Sequence, residues 1–149
     1  MPTPRLDPEK VFDVADQLPL DASAIDVGVW SGCGDARLRS SVSRAYYSVF
    51  LRLKDRLIKS GLLKRSFPEG ASHDKLYRAV RDGLGPNKGL TQKLRVLRSE
   101  RGRADYELDM EIDSEFAETR LDEAHKANGL VDILTTADLT RIGRKLDGE

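Results

Sequence analysis

Apolar side chains recur at three- and four-residue spacing through most of the chain, the period of helices packed on one side. From about 35 to 60, Leu38, Val42, Ala45, Tyr46, Val49, Leu53 and Leu57 form one line. Arg44, Tyr47, Leu51 and Ile58 form a second line roughly opposite. A helix apolar on two sides is buried on two sides. It is therefore the central helix of a bundle, or it meets the bundle with one face and a second subunit with the other. Gly61 ends it.

Shorter stripes flank this helix. Asp7-Pro8-Glu9 starts a helix over 7–18, with Val11, Val14, Ala15 and Leu18 apolar and Pro19 as the stop. Ser72 caps a short helix to 84 carrying Leu76, Ala79 and Val80. Asp113 or Ser114 caps a long helix with Ala117, Leu121, Ala124, Asn128 and Val131 on one stripe, widened by Phe116, Ala127, Leu130 and Leu134. The polar Asn128 in that stripe is expected to hydrogen-bond between helices. Asp138 is placed as the cap of a final helix with Leu139, Ile142 and Leu146 apolar. The glycine-rich runs at 28–34 and 83–89 and the segment 66–70 read as loops. No stretch sustains a two-residue alternation of β-branched side chains. The pattern predicts an all-α fold, an up-and-down bundle of four to five main helices. One domain over 1–149 is expected, with its core at about 35–137 and helices 7–18 and 138–147 as additions.

The helix expected over about 88–106 breaks its own pattern. Leu90, Leu94, Leu97, Ala104 and Leu108 line one face, and Arg101 falls in the middle of it. A guanidinium keeps its proton, so burying it unpaired costs several kcal/mol or so. Asp105, one turn on, is the nearest partner. If the pair is buried, Asp105→Ala should destabilise the fold by a few kcal/mol or so.

Composition adds one fact of distribution. The 149 residues carry 25 Lys and Arg against 25 Asp and Glu, so net charge is uninformative. Yet 88–103 holds six cations and one anion, and 104–123 holds nine anions and one cation, Arg120. That contrast suggests two faces of one fold or complementary faces of two subunits. Arg95, Arg98 and Arg103 read either as a phosphate-attracting surface or as a solvated basic face. The single cysteine, Cys33, forms no disulfide framework and fits a reducing cytoplasm. No signal peptide and no membrane span is read in the chain.

Candidate chemistry is sparse. The two histidines, His73 and His125, and Cys33 lack metal-site spacing, so no metal and no cofactor is expected. The 83–89 segment lacks the Gly-Lys-Ser/Thr ending of a phosphate loop and reads as a helix connector.

Three segments together carry a resemblance. Ser43-Arg44-Ala45-Tyr46-Tyr47-Ser48-Val49-Phe50 resembles the Arg-x-Tyr-Tyr-x-x-Phe helix of prokaryotic HEPN domains. His73 is similar to the Ser/His helix start that follows it there. Arg101-Gly102-Arg103-Ala104-Asp105-Tyr106 resembles the Arg-x-x-Ala-Asp-Tyr ending of one HEPN branch. The resemblance implies a four- to five-helix bundle that dimerises, with the arginine motifs of both subunits facing one cleft. It also implies RNA as the ligand or substrate, and a small nucleotidyltransferase antitoxin as a partner. Active ribonucleases of this kind carry an Arg and a His separated by four to six residues. Here four residues separate Arg101 from Tyr106, so Tyr stands where His is expected. Tyrosine, with an ordinary pKa near 10, is a poor base at neutral pH.

Two functions of different class follow. One is a dimeric binding module for RNA, a nucleotide or a partner protein, with a cleft lined by Arg44, Tyr47, Arg98, Arg101, Asp105 and Tyr106. The other is a metal-independent endoribonuclease toxin using Arg101, with Tyr106 or His73 moving the proton. The binding module is the preferred reading.

Overall fold

In a computed structural model of the chain, the structure describes residues 31–64 and 72–148. The helix expected over 7–18 and the loop expected at 66–70 lie outside them. Five helices make up the described part, which contains no strand: α1 (Ser31–Lys59), α2 (Ser72–Leu84), α3 (Gly89–Tyr106), α4 (Ser114–Asp132) and α5 (Thr136–Leu146). The all-α bundle is as the apolar periodicity predicts.

α1 is the central element, packed against both α3 and α4. Ala45, Tyr46, Val49, Leu53 and Leu57 are buried, while Tyr47 and Leu51 on the second line are half-buried against the same core. Along the second line Arg44 is exposed and Tyr47, Leu51 and Ile58 are half-buried, so the chain itself covers that side only in part. A smaller cluster of Leu38, Val42, Ala104, Ile112 and Ala117 closes one end of the bundle.

Two helix starts differ from expectation. Gly32, Cys33 and Gly34, read as loop, are the first turn of α1. Each glycine costs about 1 kcal/mol in a helix, but propagation adds a hydrogen bond per residue fixed, so a long helix carries two in its first turn. Asp138 is not the cap of α5 but the other half of a capping box. The N-cap is Thr135, whose hydroxyl accepts from the Asp138 N–H at 3.1 Å, while the Asp138 carboxylate accepts from the Thr135 N–H at 3.1 Å. At α4 the expected Asp113 is the cap, accepting from the Phe116 N–H at 2.8 Å.

Gly61 terminates α1 with φ +72°, its N–H bonded to the Ile58 carbonyl and the Leu62 N–H to that of Leu57. This is the Schellman arrangement, which favours glycine because a Cβ is disfavoured at positive φ. α5 crosses α2 closely: a Cβ on Gly83 would stand 3.0 Å from the Ile142 nitrogen. The Asn128 amide reaches the Ser48 hydroxyl on α1 at 3.5 Å, the interhelical contact expected of it.

The arginine buried in this bundle is not Arg101 but Arg39, which is 8% exposed. From α1 its guanidinium donates to the carbonyls of Ala104 (3.0 Å), Glu107 (3.1 Å), Leu108 (3.4 Å) and Met110. The Ala104 carbonyl belongs to the last turn of α3, where carbonyls lack an intrahelical partner and the helix dipole favours a cation, and the other three belong to the cap and the segment that follows. Arg56, also on α1, treats the end of α4 in the same way. It donates to the carbonyls of Val131 (2.6 Å), Asp132 (3.2 Å) and Leu134 (3.0 Å).

Candidate functional site

α3 presents Arg101 at the rim of the core, not within it. The helix ends at Tyr106, so Leu108 drops out of the apolar line and is 77% exposed. The seam on either side of Arg101 is therefore Leu97 and Ala104, both buried, with water on the outer side. The Arg101 and Asp105 side chains are 23% and 27% exposed, and Nε stands 2.8 Å from Oδ2. The Nε–H is not aligned on that oxygen and has no hydrogen-bond acceptor, so the contact is an ion pair rather than a hydrogen bond.

The other end of the guanidinium meets α1. One terminal nitrogen donates to the Tyr47 hydroxyl at 2.8 Å, and the guanidinium carbon lies 5.2 Å from the centre of the Tyr47 ring. A phenol and a ring face together hold an arginine while leaving part of its charge uncompensated. Ser43, one turn before Tyr47, reaches Asp105 at 3.4 Å.

Tyr47 also joins Arg101 to α2. Its ring meets the His73 ring edge-on, with centres 5.1 Å apart. His73 stacks on Phe50 at 3.9 Å, and its Nδ1 is 3.3 Å from the Tyr46 hydroxyl. Burial pushes the Tyr46 phenol up to about 12, with Arg98 and Arg101 pulling the other way. Tyr46 therefore keeps its proton across the physiological range and meets His73 as a phenol. Asp74, next to His73, binds Arg98 and pairs with Arg78 at 2.8 Å. Arg98 lies over the Tyr77 ring, 5.2 Å from its centre.

Of the residues singled out in the sequence, Arg101, Asp105, Tyr47 and His73 converge, and Arg98 joins them through Asp74. Tyr106 and Arg44 do not. Tyr106 is 75% exposed and makes no hydrogen bond or ring contact among the described residues. Arg44 is exposed and holds no ion pair among them. Sequence reasoning missed Tyr46, taken as core, and Asp74, a first-turn acid whose partners come from another helix. The basic stretch is also largely spent. Lys93 pairs with Glu123 (2.7 Å), Arg98 with Asp74, Arg101 with Asp105, and Arg103 with Glu100 (3.3 Å) and Glu107 (3.6 Å). Lys88 and Arg95, both exposed, hold no ion pair among the described residues.

The fold and this cluster define an all-α bundle with an arginine, tyrosine and histidine gathered where three helices meet. A family model for the HEPN domain matches residues 33–134, and the chain belongs to that family. The match takes in α2, α3, α4 and nearly all of α1, and extends to residue 134, just short of α5. Neither a curated protein nor a solved structure matches the chain. HEPN domains are generally connected with nucleotides or RNA and often dimerise. No helix among the described residues is long and apolar enough to cross a membrane.

Proposed function

We propose that this HEPN domain binds RNA, using the Arg101, Tyr47 and His73 cluster to hold a phosphate and adjoining base. The observation that supports this most is the state of Arg101. Its guanidinium is oriented by Tyr47 and Asp105 at the rim of the core, with the side chain about a quarter exposed. The exposed part of that guanidinium offers a phosphate oxygen a charged donor already held in place. Arg98, and Arg44 on the neighbouring helix, add charge along the backbone path. A second subunit brings a second copy of the cluster to the same cleft. The setting is a cytoplasmic toxin–antitoxin or defence system, with a small nucleotidyltransferase as the partner protein.

Binding of labelled single-stranded RNA by metal-free protein tests this. Arg101→Ala should weaken binding about tenfold and lower the salt slope by roughly one, the signature of one lost phosphate contact. Wild-type protein that binds no RNA overturns the reading.

One observation favours the endoribonuclease as a second reading: His73 and Arg101 touch the same tyrosine. In the tautomer that donates Nδ1–H to the Tyr46 oxygen, Nε2 takes the proton of an attacking 2′-hydroxyl, and Arg101 stabilises charge on the phosphate. Cleavage abolished by His73→Ala and by Arg101→Ala, but retained in Tyr106→Phe, supports it. Cleavage that depends on Tyr106 instead moves the proton transfer to that residue.

A further inference from the structure

Three large apolar side chains stand exposed among the described residues, and two of them, Tyr106 and Leu108, lie together where α3 ends. From Tyr106 to Asp113 the sequence alternates strictly between apolar and acidic residues. Ile112 turns into the core and Met110 is half-buried, while Tyr106 and Leu108 are left outside. They adjoin a groove of about 350 Å³ lined by the apolar Leu38, Leu108, Met110 and Ile112, by Arg39, and by the acids Asp109 and Glu111.

The charge here is unspent. Asp113 and Glu115 belong to the start of α4, where acids are favoured by the cap and the dipole. Asp109 and Glu111 have no such reason. Both are exposed and hold no ion pair among the described residues. The cation beneath them, Arg39, is occupied with four backbone carbonyls. Intrachain pairing thus neutralises much of the basic stretch at 88–103 and leaves this end acidic.

We infer that the α3–α4 segment is a docking surface for a basic, apolar stretch of a partner polypeptide, with arginine or lysine on Asp109 and Glu111 and aliphatic side chains on Leu108 and in the groove. Charge complementarity selects the occupant. Nucleic acid is repelled by the acids. Among the described residues no three acidic, histidine or cysteine side chains gather closely enough to hold a metal ion. Residues 1–30 of this chain carry six acidic side chains and two basic ones, the wrong sign. The inference is independent of the RNA reading, which uses other residues.

The full chain is titrated with a fluorescein-labelled peptide of alternating arginine and leucine, and with the same peptide carrying glutamate for arginine. The basic peptide binds and the acidic one does not. Glu111→Lys weakens binding about tenfold, and Leu108→Ser weakens it severalfold. Asp82→Lys, the same charge change on α2, leaves it unchanged. All three positions are exposed, so circular dichroism should match wild type. A photoreactive benzoylphenylalanine in place of Leu108 cross-links to the peptide. Equal weakening by Asp82→Lys, no binding of the basic peptide, or a cross-link to residues 1–30 or to a second copy overturns the proposal.

Discussion

Arg39 and Arg101 are two arginines of one bundle with opposite surroundings. Arg39 is buried, and its donors are spread over backbone carbonyls at the end of α3 and in the segment that follows it. Arg101 is at the rim and is held by side chains, a phenol and a carboxylate, with part of the side chain exposed. Backbone carbonyls are part of the main chain and compensate a charge without being able to rotate away as a side chain can. Side-chain partners can rotate away and make room for a ligand. The first arrangement is a clamp and the second is a handle.

Removing the clamp should have the larger effect on folding. Arg39→Leu deletes a buried charge and orphans its carbonyls, and should destabilise by about 3 kcal/mol, read from urea unfolding. A loss under 1 kcal/mol or so would mean that water replaces the guanidinium at those carbonyls. Next comes Tyr46, which lies behind the handle. Its pKa is raised to about 12 from the ordinary 10. Its contribution is therefore fully present below pH 10 or so and is lost as pH rises from there through about 12, a loss of roughly 2–3 kcal/mol. Tyr46→Phe should flatten that part of the alkaline stability curve relative to wild type. An unchanged curve would place Tyr46 in contact with water.

The handle itself should matter less to stability. Asp105→Ala removes a partly exposed ion pair and should cost about 1 kcal/mol, below the few kcal/mol expected of a buried one. Arg103→Ala, at the outward pairs with Glu100 and Glu107, should change stability by under 0.5 kcal/mol or so. If Asp105→Ala matched Arg39→Leu, the difference between the two arginines would disappear.

The described helices were legible because their apolar lines repeat at helical period over many turns, and because Gly61 and Asp113 punctuate them with chemistry local to the chain. The Arg101–Asp105 pair was legible for the same reason, since both residues lie on one helix. Its depth was not. That depended on Leu108, which the pattern continued onto the helix and the chain placed beyond its end. Arg39 carried no signal, because an arginine between Leu38 and Val42 reads as a solvated position until the end of α3 is brought against it. His73 was singled out by resemblance, whereas its contact with Tyr46 required the packing of α2 on α1. Gly32 and Gly34 misled because their breaker tendency is weaker than the continuation of a long helix.

Both clamps originate on α1, and this makes that helix a gauge. Arg39 and Arg56 are separated by about 26 Å of rise and by about 100° of rotation, which aims them at different neighbours. Point substitutions between them leave both quantities unchanged. Insertion or deletion of one residue anywhere between them turns one guanidinium by about 100° relative to the other and slides it by about 1.5 Å. One helix end then loses its clamp whatever residue is added. The stretch between these arginines should therefore tolerate changes of spelling and reject changes of length.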